Sequence, residues 1–159
     1  MATTTKAPAK KAPAKRTPTA KTTFTEDEKK AMAEYVAETR GRAKKGNKVD
    51  GLAEIKAAIA KMTAEDGKLA QKIHDLVIAA APHLTPKTWY GMPAYANAEG
   101  NVVCFFQNAG KFKARFSTLG FSDKAKLDDG NMWPIYYALG KLTAADEQKI
   151  AALIKRAVG

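Results

Sequence analysis

The chain has very little cysteine and no long apolar run. A single cysteine in 159 residues, Cys104, excludes an internal disulfide and makes a reducing compartment the expected setting. No window approaches the roughly 18 consecutive apolar residues of a membrane-spanning helix, and the N-terminus lacks the apolar core of a secretion signal. The expectation is a soluble, cytoplasmic protein with no membrane partner. Catalytic signatures are missing too: there is no serine-centred elbow, no phosphate-cradling glycine loop and no pair of carboxylates at acid–base spacing. Cys104 lies in the apolar run Val102-Val103-Cys104-Phe105-Phe106, which raises a thiol pKa, so it reads as a core residue and not as a nucleophile. A non-catalytic protein is expected.

Acidic residues are absent from the first 23 positions. That segment carries Lys6, Lys10, Lys11, Lys15, Arg16 and Lys21, a charge of +6, within a direct Lys-Ala-Pro-Ala-Lys repeat. The rest of the chain has 21 bases against 16 acids, so it supplies only +5 of the net +11. Residues 1–23 contain almost nothing to bury and three prolines, and are expected to be a disordered basic tail. Residues 24–159 are expected to form one domain, with residues 24–62 as a helical N-terminal extension and 63–159 as its core. A second basic cluster, Arg40, Arg42, Lys44, Lys45 and Lys48, falls in a Gly-containing connector. Together with the tail it is the candidate surface for DNA or RNA, through counterion release and without base reading; a solvated extension and a solvated loop are the alternatives.

Helix starts are marked by capping pairs. Thr25 with Glu28, Thr63 with Asp66 and Thr143 with Asp146 have the three-residue spacing of a capping box, and Asp50 is a further cap. The first helix is expected to end near Thr39 or Arg40 with Met32, Tyr35, Val36 and Thr39 on one side. The second carries Leu52, Ile55, Ile59 and Met62, and the third Leu69, Ile73, Leu76, Val77 and Ala80, as core-facing stripes. The period then changes. Pro93–Asn97, Asn101–Gln107, Lys111–Ser117 and Ile135–Leu139 read as four short antiparallel strands, with a short helix from Ser122 to Leu127 between the last two and a final helix holding Ile150, Leu153, Ile154 and Val158. Helices, then strands, then a helix indicate an α+β domain with a small sheet of about four strands.

Thr88-Trp89-Tyr90-Gly91-Met92-Pro93-Ala94-Tyr95 concentrates three large aromatics around a Gly and a Pro. The Tyr90-to-Tyr95 block, a Gly-turn hairpin, the Lys111-Phe112-Lys113 segment, Trp133-Pro134 and the final helix together resemble the YdhG-like family of uncharacterised domains, over roughly Leu69 to Gly159. The resemblance implies a small α+β fold and, because some members are described as frataxin-like iron chaperones, iron as a candidate ligand. The basic tail in turn resembles the Lys-Ala-Pro tails of linker histones and bacterial nucleoid-associated proteins, which implies possible placement at the nucleoid.

Iron prefers carboxylate and imidazole ligands placed together. Glu26-Asp27-Glu28 and Glu65-Asp66 sit at helix starts where capping explains them, which leaves Asp123, Asp128 and Asp129 as a weak candidate cluster; His74 and His83 have no partner at ligand spacing and read as structural. The other candidate is a recognition surface made by Trp89, Tyr90, Met92, Tyr95 and Trp133, with Tyr136 nearby, and flanked by Lys111, Lys113 and Arg115, where a flat or anionic small ligand would stack beside positive charge. Core packing of the same aromatics is the competing reading.

Overall fold

The computed structural model describes residues 24–44 and 50–159. Candidate nucleic-acid residues Lys6, Lys10, Lys11, Lys15, Arg16, Lys21, Lys45 and Lys48 lie outside the described residues. The elements are α1 (Glu26–Lys44), α2 (Gly51–Ala60), α3 (Ala64–Ala80), β1 (Thr85–Trp89), β2 (Met92–Ala96), β3 (Val102–Gln107), α4 (Ala109–Phe112), β4 (Ser117–Phe121), β5 (Tyr136–Leu139) and α5 (Ala144–Val158). The strands form one antiparallel sheet in the order β1-β2-β3-β4-β5, a meander of five strands where four were expected. The fold class is α+β.

The capping pairs start the helices where their spacing predicted. The Thr25 amide donates to Glu28 Oε2 at 2.7 Å and the Glu28 amide to Thr25 Oγ1 at 3.2 Å; Thr143 and Asp146 form the same reciprocal box at α5. Asp50 accepts from the Leu52 and Ala53 amides at α2, and Thr63 from the Asp66 amide at α3. Pro82 follows the end of α3, as a residue lacking an amide proton must.

One face of the sheet holds the main core. Tyr95, Cys104, Phe106, Leu119 and Phe121 lie under Ile55 of α2, Ile73 and Val77 of α3, and Ile150 and Ile154 of α5. The Tyr95 hydroxyl meets His74 Nδ1 at 3.0 Å, so the one phenol buried here has a partner. The opposite face carries a smaller cluster of Met92, Ala94 and Phe105, with Trp89, Tyr90, Val102 and Phe112 partly buried against it. Gly120 is what lets the Phe105 ring lie flat on that face: a Cβ there would stand 2.4 Å from Phe105 Cζ.

Several expectations are corrected. The segment Lys111–Ser117 is not a strand. Ala109–Phe112 forms the single helical turn α4, Lys113 takes a left-handed φ of 51°, and pairing begins only at Ser117. The cause is a buried carboxylate from α3: Asp66 accepts from the Gly110 amide at 2.9 Å and from Ser117 Oγ at 2.7 Å, and Ser117 Oγ in turn accepts from the Ala109 amide. These bonds curl the chain before it can extend. Thr85–Trp89 is a strand although Pro86 lies in it, which an edge position permits.

The side of α1 that holds Met32, Tyr35, Val36 and Thr39 is not its inward one. Met32, Tyr35 and Val36 are exposed, whereas Ala31 is buried and Asp27, Glu34 and Glu38 are half-buried. The helix meets cations, an amide donor and the Tyr90 ring, so its polar stripe turns inward. It also continues through Arg40 and Gly41 to Lys44, so the basic connector begins as helix; of the Arg42 and Lys44 candidates only this backbone placement is described. Finally, residues 122–127 form turns, with Ser122 Oγ accepting from the Lys124 amide, and not a helix.

A candidate ligand-binding cleft

β1 ends at Trp89 and β2 begins at Met92, so Tyr90 and Gly91 form a two-residue hairpin loop. Both have positive φ, 52° and 71°, the geometry of the mirror-image turn that suits the twist of paired strands. Glycine adopts it without strain; Tyr90 is held there by contacts. Its ring stacks on Tyr35 of α1 at 4.4 Å between centroids and 13° between planes, and its carbonyl accepts from Lys111 Nζ at 2.7 Å. Lys111 Nζ also pairs with Glu34, and the Gly91 amide donates to Glu38 Oε1 at 2.8 Å. A Cβ on Gly91 would meet Glu34 Oε2 at 2.0 Å and Lys111 Nζ at 2.3 Å. The Tyr-Gly motif is therefore the point at which α1 grips the sheet.

Between α1, α2, this turn and the start of α4 lies a cleft of about 580 Å³. Glu34 and Glu38 enter it from α1 and Glu54 from α2, with Asn108 and Gly110 from the β3–α4 junction. Glu54 Oε2 accepts from the Thr88 amide and hydroxyl, both at 3.2 Å. Two acceptors of cleft-lining residues differ from these: Glu38 Oε2 and Asn108 Oδ1 have no accessible surface and no hydrogen-bond partner, the only such side-chain atoms among the described residues. Asn108 is 4% exposed, so its amide oxygen has been taken out of water with nothing to replace it. Glu38 and Asn108 escaped the sequence reading. The available signal was the 27, 31, 34, 38 spacing of Asp27, Ala31, Glu34 and Glu38, a helical stripe opposite the more conspicuous apolar one.

The sequence candidates are divided rather than assembled. Tyr95 is fully buried in the main core and its phenol pKa is pushed up by that burial. Trp133 packs on the same core, whereas Trp89, Tyr90 and Met92 belong to the cluster on the other face. Trp89 meets Tyr90 and Phe105 edge to face at 5.1 Å, and Phe105 meets the exposed Tyr136 at 6.0 Å, so these rings pack mainly on one another. A second depression of about 650 Å³ flanks Trp89 between Tyr35 and Lys124.

Of the three expected cations, Lys111 lies in the cleft but is paired with Glu34. Lys113 bonds Asp27 at 2.8 Å, which raises its pKa, and Arg115 lies exposed over the Phe116 ring. Asp123 pairs with Lys124 at 2.9 Å, Asp129 lies 3.7 Å from Arg156, and the Asp128 carbonyl accepts from that same guanidinium. No group of three His, Cys, Asp or Glu side chains is arranged to hold a metal ion among the described residues. Burial pushes the Cys104 thiol up to about 12, and burial lowers the His74 pKa, so both stay neutral at ordinary pH.

The chain matches no family model, no curated protein and no solved structure. No helix among the described residues is long and apolar enough to cross a membrane.

Proposed function

We propose that this is a non-catalytic ligand-binding domain of YdhG-like character whose site is the cleft between α1, α2 and the Tyr90–Gly91 turn. The observation that carries the reading is the cleft itself, which gathers Glu34, Glu38, Glu54 and Asn108 beside Ala37, Ala57, Ala58 and Met62. A roomy concave site with a few convergent polar groups and some apolar wall is the ordinary form of a small-molecule site. The iron role implied by the resemblance calls for carboxylate and imidazole ligands drawn together. A fragment screen by amide NMR tests the site: binders are expected to shift Gly91, Gly110 and Asn108. Hits that move only residues around Trp89 and Lys124, or no hits at all, count against it.

The basic tail supports a second reading, tethering of this domain to DNA or RNA inside the cell. Six bases without an acid in residues 1–23 favour it. Neutralising Lys6, Lys10, Lys11, Lys15, Arg16 and Lys21 to Gln is expected to abolish most duplex binding and flatten its dependence on salt. Unchanged binding in that variant removes the tail from consideration.

A further inference from the structure

Beyond the cleft, we propose that β5 is a dimerisation edge, at which two copies of this chain pair antiparallel and join their sheets into one. The two edges of the sheet differ. β1 is closed by α2: Pro86 has no amide to offer, a Cβ on Gly51 of α2 would stand 1.8 Å from the Pro86 carbonyl oxygen, and the Thr88 amide donates to Glu54 Oε2 at 3.2 Å. β5 has no such cover. The Phe121 amide donates to the Ile135 carbonyl at 2.8 Å, and bonding alternates along an antiparallel pair. Ile135, Tyr137 and Leu139 therefore bond β4, while the amides and carbonyls of Tyr136 and Ala138 point away from the sheet. Both residues are exposed, and among the described residues none bonds those outward groups.

Exposed strand edges are ordinarily blunted by charge, proline or a bulge. Between Ile135 and Gly140 there is no charged residue and no proline, and the register of β5 with β4 is unbroken. Met132, Ile135 and Tyr136 are 89%, 37% and 57% exposed, so apolar side chains accompany the open edge. The segment is also its own complement. Two-fold antiparallel pairing centred on Tyr137 sets Tyr136 opposite Ala138 of the second copy, large beside small, with the outward amide and carbonyl of each meeting those of the other. It also sets Ile135 opposite Leu139 of the second copy, apolar against apolar. The segment holds no cation to select an acidic peptide and no acid to select a basic one, so the partner it fits is a second copy of itself.

The test follows the full chain by sedimentation velocity across a concentration series, in high salt so that nucleic acid cannot bridge copies through their basic segments. A reversible rise from one chain mass towards two is expected, with weak affinity because one strand pair buries less than the roughly 1,600 Å² of a standard interface. Ala138→Pro removes an outward amide and leaves the bonds to β4 intact, and Tyr136→Lys places charge on the edge. Each is expected to weaken association about tenfold or more while the amide NMR spectrum stays dispersed. Ala152→Lys, at an exposed position of α5, is expected to leave association unchanged. In the unaltered chain the Tyr136 and Ala138 amides are expected to exchange more slowly as concentration rises, a readout that decides the matter if either β5 variant fails to fold. A single chain mass up to the solubility limit overturns the proposal, as does a dimer that survives both β5 variants. Slow exchange of these two amides at every concentration also overturns it, because a segment of the same chain would then lie on the edge.

Discussion

Where α3 and α5 cover the sheet, contact is made by Ile73, Val77, Ile150 and Ile154 against Tyr95, Phe106 and Phe121. Where α1 meets it, contact is made by Glu34 and Glu38 against Lys111 and the Gly91 amide, with Asp27 against Lys113 and one aromatic stack. The first kind of contact removes apolar area from water, grows with area and is not weakened by charge screening. The second exchanges water for protein partners at small net gain, weakens with ionic strength and leaves room for solvent or a ligand. One sheet thus carries an apolar layer and a largely polar one, and the cleft lies along the polar one.

The comparison is broken most severely from the core side. Phe106→Ala is expected to cost about 3–5 kcal/mol, seen as a fall in the denaturation midpoint for every element at once, because Phe106 is fully buried in the main cluster. A loss confined to α1 would contradict the division drawn above.

The intermediate case is Asp66, which joins α3 to the α4 turn. Burial alone pushes its carboxyl pKa up, but hydrogen bonds from Ser117, Gly110, Thr63 and Ala109 outweigh that, and the net pKa lies below the ordinary value. Because the folded value is the depressed one, the stability it contributes is present above the ordinary carboxylate pKa. That stability is lost as pH falls through the folded value. Asp66→Asn is expected to cost about 1–3 kcal/mol at neutral pH and to flatten the acid side of the stability profile. A profile parallel to that of the unaltered chain would show that other carboxylates govern it.

The smallest effects belong to α1. Lys111→Met is expected to change global stability by no more than about 1 kcal/mol, yet to speed amide exchange across α1 and at Gly91 in low salt. Lys113→Ala, whose ion pair is solvent-exposed, is expected to leave exchange unaltered. Equal acceleration by both would mean that net charge, and not the Lys111 contact, holds the helix.

How much of this was legible beforehand depends on distance along the chain. Caps act over three residues, so the starts of α1, α3 and α5 could be read from Thr25, Thr63 and Thr143. β2 and β3 follow from dense apolar sequence. The alternation of Phe112, Ala114 and Phe116 pointed to a strand because the competing influence, Asp66, lies 51 residues before its partner Ser117. β1 was hidden by Pro86, whose cost disappears only at a sheet edge. Which side of α1 faces the sheet was not legible for a similar reason: the polar surface it meets is built by Lys111, Lys113 and Gly91, far along the chain. The Tyr90–Gly91 motif stood out by composition, but the cleft beside it exists only once Glu38 and Asn108 are brought together by folding.

Cys104 sits at the centre of β3, paired across to Tyr95 and Phe121, with no exposed surface and a thiol held protonated by its surroundings. As the only thiol in the chain, it gives the molecule an internal clock. A sulfhydryl reagent can reach it only when the middle of the sheet comes apart, so its labelling rate times the opening of the apolar layer.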